Sequence, residues 1–127
     1  MRHHELVIIG TGSGNSLITP ELAGLDIAIV EEGTFGGTCL NVGCIPTKML
    51  VLPSDRVLDA ADAARLGVSI PTPTVDWPAI RDRVFGRIDP IAAGGEDYRR
   101  SNPAITVYAA RARFVGPQHL ALSTGEE

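Results

Sequence analysis

Two cysteines in the first half of the chain are the residues best suited to chemistry. Cys39 and Cys44 are separated by four residues, so their side chains can close a small disulfide ring. The sequence predicts a helix from Cys44 to Leu52, and the partial positive charge of a helix start favours the thiolate form of a cysteine. Lys48 follows one helical turn later on the same predicted face. The pair is therefore a candidate for reversible thiol–disulfide chemistry, with a lysine able to hold a nearby negative group.

Two other interpretations of the cysteine pair stay open from the residues alone. A structural zinc ion needs about four ligands. This chain offers only two cysteines, and its histidines lie far from them in sequence, at His3, His4 and His119. Two unrelated buried cysteines could also have this spacing. The glycine-rich surroundings of the pair favour a redox function over both alternatives.

A glycine-rich turn near the N-terminus has the pattern of a dinucleotide-binding site. The apolar run at 5–9 predicts a buried strand, and residues 10–15 read Gly-Thr-Gly-Ser-Gly-Asn before a short predicted helix that begins near 14 and reaches Ala23. The first glycine allows a tight turn, the second lets a pyrophosphate approach the backbone, and the helix start offers free N–H groups. Asn15 replaces the third glycine of the pattern, which predicts a slightly wider helix–strand spacing. The candidate cofactor-binding residues here are Gly10, Gly12, Ser13, Gly14 and Asn15.

An acidic residue follows this turn at the distance that nucleotide-binding domains use. Glu31 lies 21 positions after Gly10, at the end of a second predicted strand. A carboxylate there accepts hydrogen bonds from an adenosine ribose. Glu32 is the neighbouring candidate, because only one of two successive strand residues can point at the ribose. The alternative is a glycine-rich turn without a ligand and a solvated glutamate.

The elements that must position these residues alternate in the order of an α/β protein. Strands are predicted at 5–9, 26–31 and 105–110, with helices between them, which predicts a parallel sheet. Residues 32–43 are predicted to be loop. Pro53 is expected to interrupt the Cys44 helix, and a second piece should run to Arg65. Asp76 is predicted to cap a helix from Trp77 to about Arg100 that Pro90 and two glycines should bend or break. Its predicted apolar face comprises Trp77, Ile80, Val84, Ile88 and Ile91.

Composition excludes several classes of function. The 127 residues carry a net charge of −4, which gives no electrostatic footprint for nucleic acid. No stretch approaches the ~18 apolar residues of a membrane span, and the N-terminal apolar run is too short for a signal peptide. We therefore expect a cytoplasmic protein without membrane or nucleic-acid partners.

Residues 113–122 predict an antiparallel ribbon, and His3 and His4 are expected at a frayed terminus.

The cysteine segment resembles the signature of the flavoprotein disulfide reductases. It reads Gly36-Gly37-Thr38-Cys39-Leu40-Asn41-Val42-Gly43-Cys44-Ile45-Pro46-Thr47-Lys48, and the glycine turn and Glu31 stand where the family has them. The resemblance covers the whole chain but corresponds to the N-terminal part of a much longer enzyme. It implies a Rossmann-like FAD-binding domain with a parallel sheet, which this chain contains incompletely, as an N-terminal fragment spanning residues 1–127.

The resemblance also implies roles for individual residues. Gly10, Gly12 and Gly14 would face the FAD pyrophosphate, Glu31 the adenosine ribose, and Gly37 and Thr38 the phosphate region. NADPH would reduce the flavin, which would pass two electrons to a Cys39–Cys44 disulfide. Cys44 would be the thiolate on the flavin side, Cys39 the thiol that attacks a disulfide substrate, and Lys48 a neighbour of the flavin.

Within the family, two stretches resemble the mycothione reductases, at residues 10–16 and in the segment from Arg83 to Arg100. This implies a homodimer that reduces mycothiol disulfide. Dihydrolipoyl dehydrogenase or glutathione reductase activity, or a non-catalytic FAD-binding remnant, are the alternatives. The family takes its catalytic histidine from a C-terminal motif of the partner subunit, and His119 does not match it. Because the NADPH and dimerisation domains are also absent, we expect residues 1–127 alone to be inactive.

Overall fold

The computed structural model describes residues 1–22 and 24–126, and its centre is a three-stranded parallel sheet. The strands are β1 (Leu6–Ile9), β2 (Ile27–Glu31) and β3 (Ile105–Ala109), in the spatial order β1-β2-β3. Ile8 lies beside Ile29, and Ile29 beside Val107. This confirms the predicted α/β class with a parallel sheet.

The middle strand, β2, forms the centre of the hydrophobic core because the side chains on both of its faces are buried. The side chains of β2 from Ile27 to Val30 are all buried. Such a continuous apolar run is typical of a central parallel strand. On one face, Ile27 and Ile29 pack with Ile8 and Ile105, and partly buried neighbours surround this cluster. The strand ends at Glu31, so the sheet holds that residue at the edge where the glycine turn begins.

The connection from β1 to β2 differs from the predicted helix at 14–23. It forms two short 3₁₀ turns, at Ser13–Leu17 and Pro20–Leu22, and Ala23 lies outside the described residues. Glycine, asparagine and serine are poor helix formers, and the proline at position 20 cannot continue a helical hydrogen-bond ladder. The turn is therefore followed by a compact 3₁₀ segment instead of a regular helix.

Three helices connect β2 to β3. They are α1 (Gly37–Asn41), α2 (Cys44–Ala63) and α3 (Trp77–Arg100), and a 3₁₀ turn at Ala64–Leu66 follows α2 and ends at the left-handed Gly67. The Asp76 carboxylate accepts a hydrogen bond of 3.0 Å from the Ala79 N–H, which confirms it as the N-cap of α3. The prediction that 32–43 is entirely loop was wrong, since α1 forms within it.

Neither of the two internal prolines breaks its helix. α2 runs through Pro53, against the prediction of two pieces. Proline leaves the carbonyl four residues earlier without its usual donor. That carbonyl belongs to Met49, and it accepts a hydrogen bond of 3.0 Å from Nη2 of Arg83 on α3. The neighbouring helix thus supplies the donor that the proline removed.

α3 likewise continues through Pro90 and the two glycines that follow. The carbonyl freed by this proline belongs to Gly86, an exposed residue, so water can take the place of the missing donor. The predicted apolar face was partly right. Val84 and Ile88 are buried and Ala92 joins them, whereas Trp77 and Ile91 are largely exposed.

A β-hairpin faces the other side of the sheet. Its strands are β4 (Ala112–Gly116) and β5 (His119–Leu122), as the sequence predicted. A cavity of about 360 Å³ lies between the hairpin, the N-terminal residues and the sheet side chains Val7, Ala28 and Val30. No helix among the described residues is long and apolar enough to cross a membrane.

His4 is anchored, so the expected fraying of the N-terminus does not extend to it. Its Nδ1 lies 3.0 Å from an Asp26 carboxylate oxygen and its Nε2 lies 2.9 Å from the Tyr108 hydroxyl. His3 is exposed. His119 is half-buried and lines the cavity under the hairpin.

Candidate functional site

The glycine-rich turn leaves the end of β1 as the sequence predicted. The Gly10 N–H donates to the Val30 carbonyl at 2.7 Å, which extends the sheet into the turn. Gly10 has a φ of 88°, a left-handed conformation that strongly favours glycine. Gly14 packs over β1, since a Cβ there would lie 3.8 Å from Ile8. Ser13 is exposed at the start of the 3₁₀ turn.

Glu31 reaches back from the end of β2 and holds this turn. Its Oε2 accepts hydrogen bonds from the Thr11 N–H at 3.0 Å and the Thr11 hydroxyl at 2.7 Å. Its Oε1 accepts one of 2.8 Å from the Gly33 N–H. The Thr11 hydroxyl also accepts from the Gly36 N–H at 3.0 Å. Glu31 therefore joins the glycine turn to the segment that leads into α1.

Glu32 occupies a different place from Glu31. Its side chain is exposed, and its closest recorded partner is the Arg111 guanidinium at 3.8 Å, on the approach to the hairpin. An exposed pair at this distance contributes little to stability. Of the two glutamates that the sequence left open, Glu31 is the one that borders the glycine turn.

Asn15 is buried and bonded on both sides of its amide group. Its Nδ2 donates to the Gly10 carbonyl at 2.9 Å, and its Oδ1 accepts from Nε of Arg99 at 2.8 Å. Arg99, near the end of α3, also donates from Nη1 to the Gly95 carbonyl at 2.8 Å. The sequence offered no signal for the Arg99 contact, because 84 residues separate the two partners.

Asn41 fixes the segment that faces the glycine turn. Its Nδ2 lies within hydrogen-bond distance of three carbonyls, those of Thr34 at 3.2 Å, Phe35 at 2.9 Å and Gly37 at 3.1 Å. Sequence reasoning gave this residue no role, although it lies inside the cysteine motif. The side chain closes the start of α1 against the preceding loop.

An open cleft of about 490 Å³ lies between the glycine turn and α1. Gly37, with a φ of 66°, packs directly against the Gly12 backbone at the border of the cleft. Because neither residue has a side chain, a ligand in the cleft can approach the backbone closely. Its lining residues are Gly10, Thr11, Gly12, Glu31, Thr34, Gly37, Thr38, Asn41 and Val42.

The two cysteines lie at the junction of α1 and α2, and both are exposed. Cys44 begins α2, as predicted, whereas Cys39 belongs to α1 and not to a loop. A hydrogen bond to Cys44 is the main cause of the raised pKa of the Cys39 thiol. The backbone N–H groups of Cys44 and Ile45 act in the opposite direction on that pKa, but less strongly. The helix start thus also stabilises negative charge on Cys39.

The contact between the two thiols depends on the residue between the helices. A Cβ at Gly43 would lie 2.8 Å from the Thr38 carbonyl oxygen, closer than real Cβ atoms approach. Lys48 lies one turn after Cys44 on α2 and is exposed.

Among the described residues, no group of three or more His, Cys, Asp or Glu side chains could hold a metal ion.

Comparison with known proteins identifies relatives for this arrangement. No family model matches the chain. A mycothione reductase of Mycobacterium tuberculosis strain H37Rv is 52% identical over 117 residues, which are 92% of this chain and 25% of that protein. A dihydrolipoyl dehydrogenase of Haloferax volcanii is 33% identical over 125 residues, 97% of this chain and 26% of that protein.

A solved structure has the same fold. It is the Cu(II) complex of the HOCl-induced flavoprotein disulfide reductase RclA from Escherichia coli, with a TM-score of 0.72 and 25% identity over 93% of this chain and 24% of that one. The chain spans about a quarter of the length of the curated relatives it matches. Together, the parallel sheet, the cysteine motif and these similarities identify the chain as a counterpart of the N-terminal, Rossmann-like FAD-binding part of the flavoprotein disulfide reductase family.

Proposed function

We propose that this chain is the FAD-binding and redox-disulfide part of a mycothione reductase. In the complete enzyme, NADPH would reduce mycothiol disulfide through FAD and the Cys39–Cys44 pair. The observation that carries the proposal is the placement of the two free, exposed thiols in the adjacent helices α1 and α2, beside the glycine-lined cleft. The 52% identity to a mycothione reductase favours this member of the family.

The residues of the cleft fit the FAD that the family implies. Gly10, Gly12 and Gly37 line the cleft with backbone that a pyrophosphate can approach, and Glu31 offers a carboxylate at the end of β2 for the adenosine ribose. When bound, FAD would supply the transfer of two electrons from NADPH to the cysteine disulfide. The residues proposed to hold it are Gly10, Gly12, Ser13, Gly14, Asn15, Glu31, Gly37 and Thr38, with Cys44 and Lys48 on the flavin side.

The reduced cysteine pair accounts for the reduction of the substrate. The thiolate of Cys39 attacks one sulfur of the substrate disulfide, breaks the S–S bond and releases the first thiol, which takes a proton. The Cys44 thiolate then attacks the Cys39 sulfur, and the second thiol leaves with a proton. Two thiols are formed from one disulfide, and the Cys39–Cys44 disulfide carries the oxidation.

The two cysteines divide these roles according to their positions. The hydrogen bond to Cys44 raises the pKa of the Cys39 thiol, so Cys39 stays protonated in the resting reduced pair. Before attack, Cys39 must lose its proton, and the backbone N–H groups of Cys44 and Ile45 then stabilise the thiolate that forms. Lys48, one turn along α2, adds a positive charge on the side of Cys44.

The experiment that tests this proposal compares two serine variants in the complete enzyme. Partial reduction should produce a long-wavelength absorption band from a thiolate beside the flavin. Cys44→Ser should abolish the band, whereas Cys39→Ser should keep the band and stop disulfide reduction. The reverse pattern would overturn the assignment of the two cysteine roles. A colourless protein that does not take up FAD on refolding would overturn the proposal that FAD is the cofactor.

Dihydrolipoyl dehydrogenase activity is the second candidate, which the 33% identity to such an enzyme supports. Both candidates use the same cysteine motif, so the substrate decides between them. Turnover of mycothiol disulfide should exceed turnover of lipoamide and of glutathione disulfide in the complete enzyme. Preferential turnover of lipoamide would favour the second candidate, and a protein that binds FAD without reducing any disulfide would indicate a non-catalytic remnant. We also propose that the complete enzyme is a homodimer.

A further inference from the structure

Both polar groups of the peptide between Gly10 and Thr11, its carbonyl and its N–H, form hydrogen bonds with side chains. Its carbonyl, which belongs to Gly10, accepts the Nδ2 hydrogen bond of Asn15. Its N–H, which belongs to Thr11, donates to Glu31. This peptide forms the start of the turn that lines the cleft. Its orientation decides whether the Glu31 carboxylate meets an N–H group or a carbonyl oxygen.

A peptide beside a left-handed glycine can rotate more easily than one in a strand. Gly10 has a φ of 88° and no Cβ to limit alternative backbone conformations. Rotation of this peptide would exchange the positions of its carbonyl and its N–H. After rotation a carbonyl oxygen would face the Glu31 carboxylate and repel it, whereas the N–H in the observed orientation attracts it. Retention of the observed orientation therefore matters for the position of Glu31.

Arg99 determines which way the Asn15 amide points. An asparagine amide can present either its oxygen or its nitrogen to a neighbour, but a guanidinium group has only donors. The Nε–H of Arg99 therefore requires the Asn15 oxygen, at 2.8 Å, and leaves the nitrogen for the Gly10 carbonyl. Asn15 is 7% exposed, so water has little access to replace either partner.

We propose that Arg99 is a positioning residue for Glu31 at the glycine turn, and that it acts through Asn15 and the Gly10–Thr11 peptide. It presets the Gly10–Thr11 peptide so that the Thr11 N–H, and not a carbonyl oxygen, meets the Glu31 carboxylate proposed for the ribose. In this chain the Asn15–Arg99 pair takes the place of the third glycine of the dinucleotide pattern. The ligand part of this inference rests on the proposed function, whereas the orientation of the peptide can be tested without any ligand.

Two variants of equal length separate the hydrogen bond from the side chain as a whole. Arg99→Gln places an amide nitrogen where Nε stands, so it keeps a donor for Asn15. Arg99→Met places a methyl group there and removes the donor. Arg100→Met is the matched control, because Arg100 forms only an exposed ion pair with Glu96 on the same turn of α3.

The first measurement is amide hydrogen exchange at Thr11 in the ligand-free protein, followed by NMR. Exchange should be faster in Arg99→Met and close to the wild-type rate in Arg99→Gln and Arg100→Met. Equal rates in the wild type and Arg99→Met would overturn the proposal whether or not the protein binds FAD. Equal acceleration in the methionine and glutamine variants would overturn it too, because the hydrogen bond to Asn15 would then not be the cause.

The second measurement compares adenosine with inorganic pyrophosphate, which lacks the ribose. Arg99→Met should weaken adenosine binding about tenfold, the effect of one buried hydrogen bond of charged type, and leave pyrophosphate binding unchanged. In an Asn15→Ala background the same substitution should have little further effect. Equal losses for both ligands, or additive losses in the double variant, would overturn the proposal. A wild type that binds neither ligand would count against the proposed function, and the exchange measurement would still decide the orientation of the peptide.

Discussion

Gly37 of α1 and Gly12 of the glycine turn pack backbone against backbone. An ideal Cβ placed on Gly37 would lie 2.5 Å from the Cα of Gly12 and 3.0 Å from its nitrogen. Neither partner can move aside as a flexible side chain would, because both are main chain. This contact brings the cysteine-bearing helix α1 to the cofactor cleft, so the two motifs that the sequence separates by more than twenty residues form one site.

Even a methyl group added at Gly37 should therefore destabilise the protein and weaken its binding of FAD. Gly37→Ala adds a methyl group at a left-handed φ of 66° and against the Gly12 backbone. We expect a loss of about 1–3 kcal/mol in the free energy of unfolding together with weaker FAD retention. Denaturant unfolding and flavin titration measure both. Gly86→Ala is the control, because its Cβ would meet no atom within 4 Å in the middle of α3, and it should be neutral or stabilising.

The two adjacent glutamates should differ in their effect on FAD. Glu31→Ala removes the acceptor of three hydrogen bonds at the glycine turn and the carboxylate proposed for the ribose. FAD should then dissociate about tenfold faster, whereas Glu32→Ala should retain FAD as the wild type does. Release of flavin fluorescence after dilution gives both rates. Unchanged retention in Glu31→Ala would remove Glu31 from the site.

The pH dependence of Cys39 alkylation should report its contact with Cys44. Because the hydrogen bond to Cys44 raises the pKa of Cys39, the Cys39 thiolate is scarce at neutral pH and increases as the pH rises above the ordinary range of a thiol. In Cys44→Ala this cause disappears, while the N–H groups that lower the pKa remain.

Cys39 in that variant should react with iodoacetamide faster at neutral pH, and its pH profile should move to lower pH. Mass spectrometry of the labelled peptide measures the rate at each pH. A profile that stays in place, or moves to higher pH, would show that Cys44 does not hold the proton on Cys39.

The hydrogen bond from Arg83 to Met49 should stabilise α2 only because Pro53 is present. Arg83→Met should lower the free energy of unfolding by about 1 kcal/mol, since the carbonyl without a partner loses its donor. In a Pro53→Ala background, where the alanine N–H can bond to Met49, the same change should cost less. Arg87→Met on the next turn of α3 is the control. Equal losses in both backgrounds would contradict this explanation of the continuous helix.

The 127-residue chain on its own should not turn over NADPH. Its sequence has no second glycine-rich dinucleotide turn after the first, and no histidine in the motif that protonates a leaving thiolate in the family. The purified chain, reconstituted with FAD and supplied with mycothiol disulfide, should oxidise no more than a stoichiometric amount of NADPH. Multiple turnovers by soluble, pure protein would show that the chain contains more of the machinery than its motifs indicate.

The sequence by itself determined the features that depend on neighbouring residues. The apolar runs predicted the parallel strands, Asp76 predicted the start of α3, and the glycine turn and the cysteine motif identified the family. Each of these is set by local backbone preference or by the spacing of a few residues, so a linear pattern contains it.

Only the tertiary structure decided the features that join distant segments. Pro53 was expected to break α2, but Arg83 from another helix supplies the lost donor. Asn15 stands in the place of the third glycine, and it is buried between Gly10 and Arg99, a partner 84 residues away. The choice of Glu31 over Glu32 at the cleft likewise follows from the partners that the fold provides. A buried polar group requires a partner, and packing across the whole chain decides which residue supplies it.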